Sequence, residues 1–149
     1  MIAIYPGSFN PYHQGHKDIL DKALKVFDKI IVARGINPTK GSDRLEYENE
    51  KLENKYEECL IAQVNNSSTI VTHYHTLLVD FVKEANKKYG KISAIIRGLR
   101  NGSDLQYEMN LQYWNEDLGL VIPVMYFVTD RKYCHISSSA IRQIEQFKK

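Results

Sequence analysis

The sequence contains little cysteine and no long hydrophobic run, and each absence excludes a class of protein. Cys59 and Cys134 are its only cysteines, and they form no CxxC pair. The sequence therefore predicts neither a disulfide framework nor a zinc ribbon, which suits a reducing cytosol. No stretch approaches the ~18 apolar residues of a membrane span, and the first residues lack the basic and apolar segments of a secretory signal. We expect a cytoplasmic protein with no membrane partner.

The sequence also has no large excess of positive or negative charge. Lys and Arg number 20 against 18 Asp and Glu, which gives a formal net charge of +2. Nucleic-acid binders usually show a concentrated basic face, so no nucleic-acid partner is predicted and any anion site must be local. With 149 residues, 43% hydrophobic and 26% charged, the chain is typical of one soluble globular domain, which we expect to span 1–149.

Short apolar runs rich in Ile and Val recur along the chain, and helical stripes separate them. The runs cover 2–5, 30–33, 69–72, 94–96 and 121–128. Between them, Ile19, Leu20, Ala23, Leu24 and Phe27 form one stripe, and Leu77, Leu78, Phe81, Val82 and Ala85 form another. Continuous apolar runs are typical of strands buried on both faces. The alternation predicts an α/β fold, a parallel five-stranded sheet flanked by helices.

The segment 43–64 is charged but keeps a helical period. We interpret its charges as a solvated surface. Its inner face is expected to consist of Leu45, Leu52, Tyr56, Cys59 and Leu60.

The stretch YPGSFNPYHQGH, residues 5–16, begins in the first predicted strand and ends in a helix that opens near Gly15 and His16. Backbone N–H groups at a helix N-terminus favour a phosphate. His13 and His16, three residues apart, would face the same phosphate across the first turn. Two simpler interpretations stay open: two surface histidines, and Gly and Pro residues that serve the turn alone.

A zinc site is not predicted. Tetrahedral zinc needs about four ligands, and the remaining candidates lie at no zinc-finger spacing. These candidates are Cys59, His73, His75 and Cys134.

Groups suited to an anion also follow the second, fourth and fifth predicted strands, in RGINPTK, RGLRNGSD and TDRKYCHISSS. Open parallel sheets bind ligands beyond the carboxyl ends of their strands. We therefore expect the four loops to meet at one rim of the sheet and form a positively charged pocket.

HQGH after the first strand and ISSSAIR late in the chain are similar to signatures of the nucleotidyltransferase superfamily. RGLR followed by DLQYE, together with GSFNP and NPTK, resembles the phosphopantetheine adenylyltransferase family. The similarity runs in order from Ile2 to about Ile144. It implies a Rossmann-like nucleotidyltransferase fold that transfers the adenylyl group of ATP to 4′-phosphopantetheine. It also implies Mg²⁺ bound with ATP, and a homo-oligomer that is hexameric in relatives.

The resemblance assigns roles by position in the matching motifs. The catalytic residues that it implies are His16, Lys40 and Arg100. The implied ATP-binding residues are Ser8, Phe9, His16, Gly98, Leu99, Arg100, Glu108, Tyr133, Cys134, His135, Ile136, Ser137, Ser138 and Ser139. The implied acceptor-binding residues are Ser8, Lys40, Leu77, Leu78, Arg97 and Asn115. No residue is implied as a metal ligand.

Simpler structural roles compete with several of these assignments. The arginines of RGLR are also typical of surface charge, the serines of ISSS of a helix N-cap, and the LL pair of core packing. We further expect Asp104 to cap the helix after RGLR, with Tyr107 packed beneath it.

Two other functions stay open at this point. A nicotinate or nicotinamide mononucleotide adenylyltransferase shares GSFNPxHxGH and a late ISSxxIR, but RGLRNGSDLQYE favours the phosphopantetheine family. A non-catalytic nucleotide-binding module is the second alternative. It has no need for the transition-state donors His16, Lys40 and Arg100.

The chain also departs at one position from the family that it resembles, because His13 stands where relatives more often have threonine.

Overall fold

The computed structural model describes residues 1–39, 43 and 49–148, and strands and helices alternate along them. The strands are β1 (Ile2–Gly7), β2 (Lys29–Gly35), β3 (Thr69–Tyr74), β4 (Ile92–Leu99) and β5 (Val124–Val128). The helices are α1 (Gln14–Ala23), α2 (Glu50–Val64), α3 (Leu78–Tyr89), α4 (Gly102–Asp117) and α5 (Ser138–Phe147). A short 3-10 turn covers Arg131–Tyr133.

The five strands form one parallel sheet in the order β3-β2-β1-β4-β5. This confirms the predicted α/β fold. The chain adds β2 and β3 on one side of β1 and then returns to add β4 and β5 on the other side. The connections after β1 and β4 therefore leave in opposite directions, and such a switch in strand order opens a crevice at the carboxyl ends.

Helices cover both faces of the sheet. On one face, α1 packs against Ala3, Val32 and Ile96, and on the other α3 packs against Ile4 and Ile31. None of these five strand residues has exposed surface. Burying an aliphatic side chain of this size contributes about 1.5–3 kcal/mol, so the central strands are apolar on both sides instead of alternating.

The last strand begins later than the apolar run predicts. Val121 is 92% exposed, and β5 starts only at Val124. The ladder between β4 and β5 begins where the Pro123 carbonyl accepts a hydrogen bond from the Ile95 N–H at 2.9 Å. Pro123 has no N–H of its own to donate, so the regular ladder follows it.

The predicted inner face of the charged helix is wrong in part. Tyr56 is 39% exposed and Cys59 is exposed, whereas Glu53 and Leu60 are buried. The buried side therefore lies about one residue further round the helix than the apolar pattern indicates. On that side Glu53 contacts His73 of β3, and Leu60 lies in one apolar cluster with Val71. Leu45 lies outside the described residues.

No helix among residues 1–39, 43 and 49–148 combines the length and the apolarity that crossing a bilayer requires.

Candidate active site

A cavity of about 410 Å³ opens at the carboxyl ends of β1 and β4, at the switch in strand order. Its walls come from the loop after β1, from α1, from the loop after β5 and from the first turns of α4 and α5. Most of the residues implied by the motifs line it. They are Ser8, Phe9, His16, Arg97, Gly98, Arg100, Glu108, Tyr133, Ile136, Ser137, Ser138 and Ser139.

Six of the other implied residues lie elsewhere. Leu78 and Asn115 line a small neighbouring cavity of about 30 Å³, which shares Arg97 and Glu108 with the larger one. Leu77 is 54% exposed and lines neither of these two cavities.

The three remaining implied residues also lie outside both cavities: Leu99, Cys134 and His135. Cys134 Sγ lies 3.6 Å from the Asp130 carbonyl oxygen, so its contacts are local. Lys40 lies outside the described residues.

The N-terminus of α1 is capped by its two histidines. His13 is the N-cap, and its Nδ1 accepts a hydrogen bond from the Gly15 N–H at 3.1 Å. His16 Nδ1 accepts in return from the His13 N–H at 3.2 Å, which completes a capping box. Since Nδ1 of His16 is an acceptor, the neutral ring carries its proton on Nε2. Among the described residues, none accepts a hydrogen bond from that Nε2.

The His16 ring is held between aromatic neighbours. It stacks on His13, with ring centroids 3.8 Å apart, and meets the edge of Phe9 at 4.9 Å. Burial lowers the pKa of His16 to about 3, and the charges of His13, Arg97 and Arg100 act in the same direction. At neutral pH the ring is therefore an uncharged hydrogen-bond donor in a fixed orientation.

Two glycines allow backbone segments to approach closely around this ring. A Cβ on Gly15 would lie 2.9 Å from Cε1 of His13, the capping ring. A Cβ on Gly98 would lie 2.8 Å from Cγ1 of Ile19, so the missing side chain lets α1 pack directly on β4. The cavity floor at Gly98 and the helix that carries His16 are thereby held together.

Arg97, in β4, makes a bidentate pair with Glu108 of α4. Its Nε and one terminal nitrogen donate to the two carboxylate oxygens at 2.7 Å each. The other terminal nitrogen donates to the Pro6 carbonyl at 2.8 Å. Burial acts to lower the pKa of Arg97, but its hydrogen bonds and charge pairing with Glu108 raise that pKa overall. The pair ties β1, β4 and α4 together and keeps a permanent positive charge in the wall.

Arg100 and the start of α4 form a second charged unit. Asp104 accepts from the Arg100 side chain at 3.0 Å and from its backbone N–H at 2.9 Å. The N-cap of α4 is Asn101, which accepts from the Asp104 N–H, so the expectation that Asp104 caps the helix is wrong. Tyr107 is 66% exposed instead of packed beneath the cap.

The N-terminus of α5 meets the loop after β1. Ser137 is its N-cap and accepts from the Ala140 N–H at 3.1 Å. Ser138 Oγ donates to the Pro11 carbonyl at 2.9 Å, across 127 positions of sequence. Arg142, one turn further on, donates to the Asn10 carbonyl. These contacts bring the first and last loops of the site into one wall.

Comparison with known proteins agrees with this geometry. The cytidylyltransferase-like family model matches residues 4–144. Phosphopantetheine adenylyltransferases from Clostridium novyi and Clostridium tetani are each 38% identical over 98% of this chain and 84% of their own length. That from Clostridium perfringens strain 13 is 37% identical over 98% of this chain and 82% of its length. The chain belongs to the phosphopantetheine adenylyltransferase family.

Solved structures show the same fold at lower identity. A candidate nicotinate-nucleotide adenylyltransferase from Vibrio parahaemolyticus superposes with a TM-score of 0.63 at 20% identity, covering 97% of this chain and 87% of that one. A pantoate-beta-alanine ligase from Francisella tularensis gives 0.56 at 16% identity, covering 95% of this chain and 64% of that one. The chain is a nucleotidyltransferase with the fold common to this superfamily.

The motif comparison assigned no role to one basic residue of this adenylyltransferase cavity, the arginine that ends ISSSAIR. Arg142 lines the cavity beside the serines of ISSSAIR, and its guanidinium lies 3.4 Å from Ser139 Oγ. The spacing of four residues between Ser138 and Arg142 could have predicted this position, since residues i and i+4 share a helix face.

Proposed function

We propose that this chain transfers the adenylyl group of ATP to 4′-phosphopantetheine, which yields dephospho-coenzyme A and pyrophosphate. The observation that carries the proposal is the convergence of donors on one cavity. The Nε2–H of His16, the guanidinium groups of Arg97 and Arg100 and the N-terminus of α5 come from three separate parts of the chain. Two polyanionic substrates repel each other, and fixed donors of this kind offset the repulsion.

The acceptor needs no side-chain base. A phosphate monoester is mostly dianionic at neutral pH, because its second pKa is about 6. One of its oxygens forms a bond to the α-phosphorus of ATP, and the bond from that phosphorus to the bridging oxygen of the β-phosphate breaks. Pyrophosphate leaves with the electron pair, so no proton has to be removed from the acceptor. Catalysis is then positioning and stabilisation of charge.

His16 supplies the donor for the charge that develops on the α-phosphate. Its depressed pKa supports this role, since a ring that stays neutral keeps its Nδ1 in the capping box and its Nε2–H for the substrate. The N-terminus of α5 binds the β- and γ-phosphates, with Ser138, Ser139 and Arg142 beside it. Tyr133 and Ile136 cover the adenine.

The acceptor lies on the side of Arg97, with Ser8 and Lys40 at its phosphate. Leu78 and Asn115 contact the pantetheine arm. The small cavity that these two residues line supports this placement, because it adjoins the main cavity at the Arg97–Glu108 pair. Glu108 therefore holds Arg97 in place and is less suited to contact ATP directly.

Mg²⁺ enters as the ATP complex. The carboxylates that line the cavity, Asp104 and Glu108, are already paired with Arg100 and Arg97, so the described residues offer no dedicated magnesium cage. Mg²⁺ commonly keeps several waters and binds through substrate phosphates, where it reduces their negative charge.

The active form is a homo-oligomer, a hexamer by analogy with relatives. One exposed face of α4 supports self-association. Its side chains are large and apolar at i, i+4, i+7 and i+11, a helical stripe that soluble monomers rarely leave in water. They are Tyr107 (66% exposed), Leu111 (36%), Trp114 (69%) and Leu118 (48%).

A pyrophosphate-release assay with two acceptors tests the proposed reaction. Purified protein with ATP and Mg²⁺ is expected to release pyrophosphate with 4′-phosphopantetheine and to show at least 100-fold lower kcat/KM with nicotinate mononucleotide or nicotinamide mononucleotide. The reverse preference would assign the chain to the mononucleotide branch. ATP binding by calorimetry with no product from any acceptor would indicate a non-catalytic nucleotide-binding module.

A further inference from the structure

A second group of polar side chains lies between α2 and the edge strand β3, away from the main cavity. Val71 and His73 face the same side of β3, because strand side chains alternate, and His75 follows two positions later. On that side Val71 lies in the same apolar cluster as Leu60 of α2. One to two turns towards the N-terminus of α2, the apolar contact gives way to Glu53, which meets both histidines.

Three metal-ligating atoms converge there. Glu53 Oε1 lies 2.7 Å from Nε2 of His73 and 2.5 Å from Nε2 of His75, and the three atoms lie within 4.8 Å of one another. Glu53 is only 7% exposed, and among the described residues no donor makes a hydrogen bond of acceptable geometry to its Oε1. A buried carboxylate oxygen without a hydrogen bond is costly, so this atom calls for a positively charged partner.

The contacts of the His73 ring give a second reason to expect a cation at this site. Nδ1 of His73 contacts Oε2 of Glu57, one turn along α2 from Glu53. A carboxylate accepts, so Nδ1 carries the proton of the neutral ring and Nε2 presents a lone pair. In the neutral ring that lone pair faces Oε1 of Glu53, and the two acceptors repel each other unless a proton or a metal ion lies between them. An imidazole whose second nitrogen donates to a carboxylate is the usual arrangement around a bound metal.

We propose that Glu53, His73 and His75 bind a divalent transition-metal ion of the Zn²⁺ class, with Glu57 orienting His73. Two imidazoles and a carboxylate suit Zn²⁺ or Co²⁺ better than Mg²⁺ or Ca²⁺, which prefer all-oxygen sites. Glu53 and Glu57 balance the double positive charge. Tetrahedral bonds of about 2.0–2.1 Å place ligand atoms roughly 3.3 Å apart. Each histidine Nε2 therefore needs to move away from Oε1 of Glu53 by less than about 1 Å.

A metal ion bound there would join α2 to β3, the edge strand of the sheet. Three protein ligands leave a fourth coordination position for water. The sequence lacks the ligand spacing of zinc fingers, but that spacing describes a different arrangement of ligands from the one proposed here. Here His73 lies near the end of β3, His75 follows just beyond that strand, and Glu53 comes from a helix 20 residues before His73. This inference is independent of the adenylyl transfer proposed above.

Calorimetric titration of the metal-free, tag-free protein with ZnCl₂ tests it. We expect one Zn²⁺ bound per chain with a dissociation constant in the micromolar range or tighter. His73→Asn and His75→Asn should each weaken binding at least 100-fold. Glu57→Gln should weaken it roughly 10- to 100-fold, as expected for an outer partner of a ligand. Cys59→Ser is the matched control, because it removes the exposed thiol of the same helix, and it should bind Zn²⁺ as the parent does.

A second measurement needs no substitution that might disturb folding. Co²⁺ added to the parent protein should shift the ring resonances of His73 and His75 and give the visible absorption of a four-coordinate ion, leaving His13, His16 and His135 unshifted. Absence of saturable Zn²⁺ binding, Zn²⁺ affinity unchanged in both histidine variants, or Co²⁺ shifts confined to other histidines would each overturn the proposal.

Discussion

At the scale of single residues, His16 combines a structural role with the chemical role that we propose for it. Its Nδ1 closes the capping box of α1, and its Nε2–H is left for a substrate. Motif comparison selects the residue. Only the folded geometry assigns a role to each ring nitrogen, because the tautomer follows from the contact with the His13 N–H.

Replacing His16 separates these two roles. In His16→Ala we expect kcat to fall by about 10²–10³, the usual loss for one well-aimed transition-state donor, while the ATP dissociation constant changes by only a few fold. Steady-state kinetics and ATP calorimetry measure the two effects. His16→Gln is the comparison, because glutamine at this position restores a capping box and helix stability. Equal losses of ATP affinity and turnover in His16→Ala would make the residue positional instead of catalytic.

The depressed pKa of His16 also predicts a pH dependence of stability. The pKa is about 3 in the folded chain and 6.5 in the unfolded chain, so between these values the unfolded chain binds the additional proton. The free energy of unfolding should therefore fall as pH decreases from about 6.5 towards 3, by at most about 1.4 kcal/mol per pH unit from this group.

Urea unfolding of the parent and of His16→Gln at pH 6.5 and 4.5 checks this dependence. The parent should lose about 1–3 kcal/mol more than the variant, which has no titrating ring at this position. The pKa of His13 is lowered too, but that ring is present in both proteins and its effect largely cancels. Parallel losses in the two proteins would contradict the burial of His16.

At the scale of secondary-structure elements, the site depends on how closely α1 approaches β4. Gly98 is implied by the motif as a contact of ATP, yet its missing side chain also makes room for Ile19. Both roles are compatible, because Gly98 lines the cavity while a Cβ at this position would point at Ile19 of α1.

Adding one methyl group at this contact should destabilise the protein. In Gly98→Ala the Cβ would lie 2.8 Å from Ile19 Cγ1 and 3.2 Å from its Cδ1, so we expect a loss of about 1–3 kcal/mol from overpacking. Gly102→Ala is the matched control, since nothing lies within 4 Å of its Cβ and alanine favours a helix. Urea unfolding should show the control within about 1 kcal/mol of the parent, on the stabilised side. A Gly98→Ala protein as stable as its parent would mean that α1 does not pack this closely.

At the scale of the whole molecule, the order β3-β2-β1-β4-β5 decides where the candidate active site lies. The switch between β1 and β4 brings Ser8, Arg97 and Ser138 to one cavity although they are far apart in sequence. The same order leaves β3 at an edge, where His73 and His75 meet α2. The exposed stripe on α4 is then a surface on which a second copy of the chain can pack.

A charge placed in the α4 stripe should dissociate the proposed homo-oligomer. In Trp114→Glu we expect a shift of the sedimentation coefficient towards the monomer, because burying an unpaired carboxylate in an apolar interface is unfavourable. Ile61→Glu is the control: this apolar side chain is 50% exposed on α2 and lies outside the stripe. An unchanged sedimentation profile for Trp114→Glu would place the interface on another surface.

The sequence by itself determined the alternation of strands and helices, the parallel sheet and most residues of the cavity. These follow from local patterns: apolar runs long enough for buried strands, and motifs that keep donor groups next to strand ends. The assignment of Leu78 and Asn115 to a neighbouring small cavity, and of Asn101 as the cap of α4, did not follow from such patterns. Helix boundaries and neighbouring cavities depend on where the chain turns in space.

Only the tertiary structure decided which charged side chains are paired and which polar ones are buried. Glu53 belongs to a segment whose composition predicts a solvated face, yet it is buried where it meets His73 of β3 and His75 just beyond that strand. Arg97 and Glu108 become partners because β4 and α4 meet at the cavity wall. Such pairings depend on distances across elements far apart in the chain, and burial strengthens them by removing water. The spacing of residues along the sequence gives neither the distance between two elements nor the burial of a side chain.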